Sequence, residues 1–82
     1  MLHFDLYRLE QESELADIDF YGLLESGGVC LIEWGDKFER ALPESRLDVV
    51  IHIMEDGVRD VSVHGLGSRG RELEETFISL EV

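Results

Sequence analysis

The segment "LDVVIHIMEDGVRDVSVHG", residues 47–65, constrains the fold more than any other part of the chain. Two runs rich in β-branched residues flank "EDG", which reads as two antiparallel strands joined by a tight turn. A three-residue turn with Gly57 in the left-handed region sets Met54 opposite Val58, Ile51 opposite Val61 and Val49 opposite Val63. A two-residue turn would set those valines beside His52 and Val50 and split the apolar face, so the three-residue turn is favoured.

The remaining elements are read around this hairpin. "LHFDLYRL" alternates Leu2, Phe4 and Leu6 with His3, Asp5 and Tyr7, the period-two signature of a strand with one buried face. Ser13 stands where it can cap a helix running to Leu24, with Glu14 and Asp17 in its first turn and Leu15 and Ile18 on one side. "ESGG" breaks the chain. "VCLIEW" is then a continuous apolar run bounded by glycines, as expected of a strand covered on both faces. "GDKFERALPES" reads as a loop or short helical turn, and Leu73, Phe77 and Leu80 recur at helical spacing in the last segment. The order strand, helix, strand, strand, strand, helix predicts a mixed α/β or α+β fold with a sheet of about four strands. Residues 1–82 suffice for a single domain and are too few for two.

Nineteen acidic against seven basic side chains give a formal charge of -12, which repels phosphate backbones. Arg8, Lys37, Arg40, Arg46, Arg59, Arg69 and Arg71 are dispersed rather than clustered, which argues against direct nucleic-acid binding. The single cysteine, Cys30, lies in an apolar run and reads as a buried, quiet thiol. No stretch is long and apolar enough to span a membrane and no basic leader opens the chain, so a cytosolic (cytoplasmic) protein is expected.

Three groups of residues invite a functional reading. On the second face of the hairpin, His52 falls opposite Asp60 and His64 opposite Asp48; the two rungs are roughly 13 Å apart along the strand, too far to share one ion. "GLGSRG", Gly65–Gly70, has the local context of a dinucleotide fingerprint. That fingerprint also needs a second parallel strand with an acid about twenty residues on, whereas twelve residues follow Gly70 here; a glycine turn leading to a Ser68 helix cap is simpler. In "VCLIEW", Glu33 ends a buried strand, the position from which nucleoside-triphosphate hydrolases hold magnesium or orient water. From the pattern alone a solvated acid ending a strand is the simpler reading, as is a core role for Trp34 beside it.

Taken together, "HFDLYRL", "ESELADIDFYGLLESGG", "VCLIEW" and "LPESRLDVVIHI" in this order and spacing resemble the TsaE (YjeE) family, P-loop ATPases that assist TsaB and TsaD in making threonylcarbamoyladenosine (t6A) in tRNA. The resemblance runs from His3 to about Val63. It implies the C-terminal half of a P-loop NTPase-like fold, and ATP or ADP with Mg2+ as cofactors. It further implies Asp5 as a catalytic or water-positioning acid, Glu33 as the magnesium-associated acid, Trp34 as the aromatic accompanying it near the nucleotide, and Arg59 as an arginine approaching the nucleotide. Tyr7 and Arg8 belong to the motif with a structural role equally open, Arg8 pairing with acids of the following helix.

The departures are as informative. No G-x-x-x-x-G-K-[ST] occurs in these residues, so the amides and lysine that cradle phosphates are absent from the stretch and no autonomous ATPase activity is expected. Gly35 stands where the family usually has proline. The chain is accordingly expected to be a partial domain, functional only when the phosphate-loop half is supplied, with TsaB and TsaD homologues as partners and uncovered sheet edges favouring a homo-oligomer. The alternatives are a non-catalytic acidic interaction module or an inert oligomerising fragment.

Overall fold

The computed structural model describes residues 1–80 and divides the chain into two compact units, Met1–Leu42 and the residues from Pro43 onward. Four strands and three α-helices follow the expected order, with the first expected helix divided in two, a mixed α+β arrangement. The expected sheet of four strands is instead two sheets of two: β1 (Leu2–Asp5) pairs in parallel with β2 (Cys30–Glu33), and β3 (Arg46–Ile53) pairs antiparallel with β4 (Arg59–Leu66). Strand periodicity identifies strands but not the sheet each one joins.

In the first unit the parallel pair needs a crossover, because parallel strands cannot be joined by a tight turn. Residues between β1 and β2 supply it as two short helices, α1 (Glu14–Asp17) and α2 (Phe20–Glu25), rather than the single expected helix. The break is at Asp19, whose backbone is left-handed (φ 53°, ψ 38°), a conformation that aspartate tolerates better than most residues. Ser13 does not cap α1. The chain is already turning there, and the amides of Glu14 and Leu15 bond the carbonyls of Gln11 and Glu12 at 3.0 Å.

The core lies in this unit. Leu6, Leu15 and Phe20 are fully buried, Phe4 nearly so, and Leu2, Leu23, Ile32 and Phe38 pack around them. Phe4 and Phe20 meet edge to face at 5.0 Å and 71°. Each fully buried side chain contributes about 1.5–3 kcal/mol of transfer free energy. β2 is not covered on both faces as its apolar run suggests: Cys30 and Ile32 turn inward, whereas Leu31 is 50% exposed. Cys30 is a free thiol, half-buried rather than buried.

In the second unit the hairpin register is the expected one, residue for residue: Ile51 faces Val61, Val49 faces Val63, His52 faces Asp60 and Asp48 faces His64. The Met54 amide donates to Val58 at 2.7 Å, and Gly57 sits at φ 83° in the turn. Asp48 is drawn to Arg46 on its own strand, at 2.9 Å from the guanidinium Nε.

Helix α3 (Gly67–Ser79) follows β4 and packs on the base of the hairpin. Here "GLGSRG" finds its explanation in close packing. A Cβ on Gly65 would collide with the Gly70 carbonyl, and one on Gly70 with the Arg46 carbonyl, so the helix rests directly on strand backbone. Ser68 lies inside the helix and is not its cap. The orphan amides of Arg69 and Gly70 instead donate to Ser45 Oγ at 3.1 and 3.2 Å, and Glu74 Oε1 reaches back to accept from the Gly65 amide at 2.9 Å.

Two outcomes follow for urea unfolding. Ser45→Ala removes the only hydroxyl serving those amides and should cost about 1 kcal/mol, whereas Ser68→Ala should stay within about 0.5 kcal/mol of wild type. Gly→Ala in a helix interior ordinarily stabilises by about 1 kcal/mol. At Gly70 overpacking should win and leave a net loss of about 1–2 kcal/mol.

Candidate functional site

Parallel pairing of β1 with β2 decides which side chains meet. The register sets Leu2 beside Cys30, His3 beside Leu31, Phe4 beside Ile32 and Asp5 beside Glu33. Partners in a parallel ladder share a face of the sheet, so Phe4 and Ile32 enter the core while His3, Asp5 and Glu33 stand together on the outer face. The ladder continues one step, with the Leu6 amide bonding the Glu33 carbonyl at 3.1 Å. Asp5 and Glu33 therefore occupy the carboxyl ends of adjacent parallel strands, the location at which open α/β sheets bind ligands.

Each acid is held by a neighbour. Glu33 Oε2 lies 3.3 Å from His3 Nε2. Asp5 Oδ1 accepts from the Tyr7 amide at 3.1 Å, an Asx turn that bends the chain away from the strand. Both residues remain exposed. Carboxylates at neighbouring strand ends are hard oxygen donors, suited to a magnesium-sized cation that takes one or two carboxylates and fills its octahedron with phosphate oxygens and water. Among the described residues no group of three or more ligating side chains converges, so Asp5 and Glu33 could hold such an ion only together with ligand oxygens.

Trp34 follows Glu33 directly and is 53% exposed, not a core residue. Its backbone is left-handed (φ 62°, ψ 30°), which costs a bulky residue on the order of 1–2 kcal/mol. Its ring meets that of Tyr7 at 5.2 Å and 46°. Gly35 opens a 3-10 segment, Gly35–Ala41, broken at Phe38 (φ -134°, ψ 57°). Within it Lys37 donates through Nζ to the Tyr7 carbonyl at 2.7 Å and stands 5.8 Å from the Tyr7 ring centroid.

Asp5, Glu33 and Trp34 thus assemble at one strand end, as their shared motif context suggests. Arg59 belongs to the second unit, where it is exposed at the start of β4 opposite Ile53. Arg8 is exposed and forms no ion pair among the described residues, so the pairing with helix acids that its structural reading left open is not made there. Sequence reasoning passed over His3 and Lys37. His3 was within reach of the period-two rule, which places it on the face of Asp5. The Lys37–Tyr7 contact joins residues thirty apart and has no local signature.

Comparison with known proteins identifies relatives of this chain. The family described as "Threonylcarbamoyl adenosine biosynthesis protein TsaE" matches residues 1–61, which include β1, β2 and the whole acid–aromatic cluster. The chain is 39% identical to the tRNA threonylcarbamoyladenosine biosynthesis protein TsaE of Bacillus subtilis over 69 residues, 84% of this chain and 42% of that protein. It is 33% identical to the protein of the same name in Treponema pallidum, covering 77% of this chain and 47% of the relative. For the Haemophilus influenzae protein of that name the identity is 32%, over 92% and 47%. The chain spans less than half the length of these curated relatives. A match over about three quarters of its residues places this chain in the TsaE family.

Proposed function

We propose that this chain supplies the acid-and-aromatic half of a TsaE nucleotide site and serves, with TsaB and TsaD homologues, in making threonylcarbamoyladenosine in tRNA. The observation that carries the reading is the register of Asp5 with Glu33 at the carboxyl ends of two parallel strands, with Trp34 exposed beside them. Glu33 would hold magnesium, which supplies charge neutralisation at the phosphates. Asp5 would orient the attacking water, and Trp34 would lie against the nucleotide. Arg59 is the weakest member of the set, and its approach to the nucleotide rests on family resemblance.

Most of the electrostatic stabilisation in phosphoryl transfer comes from loop amides, a lysine and the metal. These 82 residues contain no such loop, so the chain by itself should turn over no ATP. No helix among the described residues is long and apolar enough to cross a membrane, in keeping with action in the cytoplasm. In the second unit Val49, Ile51, Ile53 and Val61 form an exposed apolar face on the hairpin, the observation that favours pairing between copies. A clean monomer in light scattering at high concentration would count against that pairing.

The site itself is tested through Trp34, the only tryptophan. Titration with Mg-ADP should give a saturable change in Trp34 emission near the millimolar range, weakened several-fold by Glu33→Gln; a flat response throughout that range overturns the reading. For the acid on β1 the informative variant is Asp5→Asn, which keeps the oxygen accepting from Tyr7. It should unfold within about 0.5 kcal/mol of wild type, whereas Asp5→Ala, losing that bond, should cost about 1 kcal/mol.

A further inference from the structure

We propose that Tyr7 is a positioning residue, strapped in place by Lys37, that fixes the ring of Trp34 at the strand-end site. The proposal deepens the nucleotide reading and rests on it for the role of Trp34. Its basis is a closed set of contacts. The Tyr7 ring meets Trp34 at 5.2 Å, the Tyr7 carbonyl accepts from Lys37 Nζ at 2.7 Å, Lys37 Nζ lies 5.8 Å from the Tyr7 ring, and the Lys37 amide donates back to the Trp34 carbonyl at 3.2 Å. The Tyr7 amide is in turn fixed by Asp5 Oδ1. Both rings are more than half exposed, Tyr7 at 59% and Trp34 at 53%, so burial does not account for their pairing. Nor does local preference account for the tryptophan backbone, which sits in a region that bulky side chains rarely adopt. A residue kept in such a conformation persists where its surroundings over-determine it, and such residues concentrate at ligand sites. Tyr7 and Lys37 are those surroundings. The same tyrosine follows Asp5 by two residues, so one side chain ties the aromatic to the acid-bearing strand end.

The geometry separates this role from folding, because Tyr7 lies outside the buried set of Phe4, Leu6, Leu15 and Phe20. The test uses the full chain with Tyr7→Leu, Tyr7→Phe and Lys37→Met, reading the anisotropy of selectively excited Trp34 without nucleotide, then the Mg-ADP titration. Tyr7→Leu should lower the anisotropy and weaken Mg-ADP several-fold, the scale a ring pair of this geometry supports. Tyr7→Phe should keep both, since the pairing uses the ring and not the hydroxyl. Lys37→Met should fall between, and it decides the matter on its own should Tyr7→Leu fail to fold. Wild-type anisotropy and wild-type affinity in both Tyr7→Leu and Lys37→Met would overturn the proposal. If wild type gives no response to Mg-ADP, the nucleotide reading fails, and the nucleotide-free anisotropy still decides whether Tyr7 holds Trp34: a drop in Tyr7→Leu but not in Tyr7→Phe supports it, and no drop overturns it.

Discussion

The parallel pairing of β1 with β2 is the constraint on which the first unit and its site depend. It forces a crossover, and α1 and α2 fill that crossover with the side chains that bury Phe4 and Leu6. It also fixes the outer face, because the register that sends Phe4 and Ile32 into the core must bring Asp5 and Glu33 together above it. A slip by one residue would turn Phe4 outward and Asp5 inward, so burial of a phenylalanine and alignment of two acids are one decision.

The second unit rests on a different balance. Among its described residues only Gly70 is buried, and the apolar face of the hairpin is largely open. A two-stranded hairpin alone is marginal in water, so order must come from what α3 adds at its base. That contribution is close backbone approach at Gly65 and Gly70, capping of two helix amides by Ser45, and the Glu74 bond to the Gly65 amide. These are specific contacts of modest individual size, which makes this unit sensitive to single atoms where the first relies on buried area.

Legibility in the sequence followed the range of the forces involved. The hairpin register could be read because period-two alternation and a glycine at the turn act over a few residues. The outward acids of β1 and β2 could be read as strand-end residues, but that they lie side by side could not, since parallel partners are nearly thirty positions apart. Two failures have different causes: Ser45, twenty-four positions away, serves a helix amide that Ser68 was expected to serve, whereas at Ser13 a local turn through the Gln11 and Glu12 carbonyls takes the amides of Glu14 and Leu15. The apolar run of β2 misled because composition alone cannot say whether a second layer is present, and Leu31 shows that here its outer face is open.

The charge balance bears on what such a site can bind. Asp5 and Glu33 face the same direction on a chain of formal charge -12, and a nucleotide brings further negative charge. Like charges at contact distance repel by about 1 kcal/mol each even in bulk water, and by more beside a protein surface. Lys37, a cation beside the cluster, donates to the carbonyl of Tyr7 and lies near its ring, and it offsets only part of that charge. A divalent cation between the acids and a phosphate would relieve that repulsion, and stacking on an aromatic face, which is sequence-tolerant and indifferent to charge sign, would add binding that the repulsion does not reduce. On that argument the conformation of Trp34 sets how much of the nucleotide reading these residues can carry without a phosphate loop.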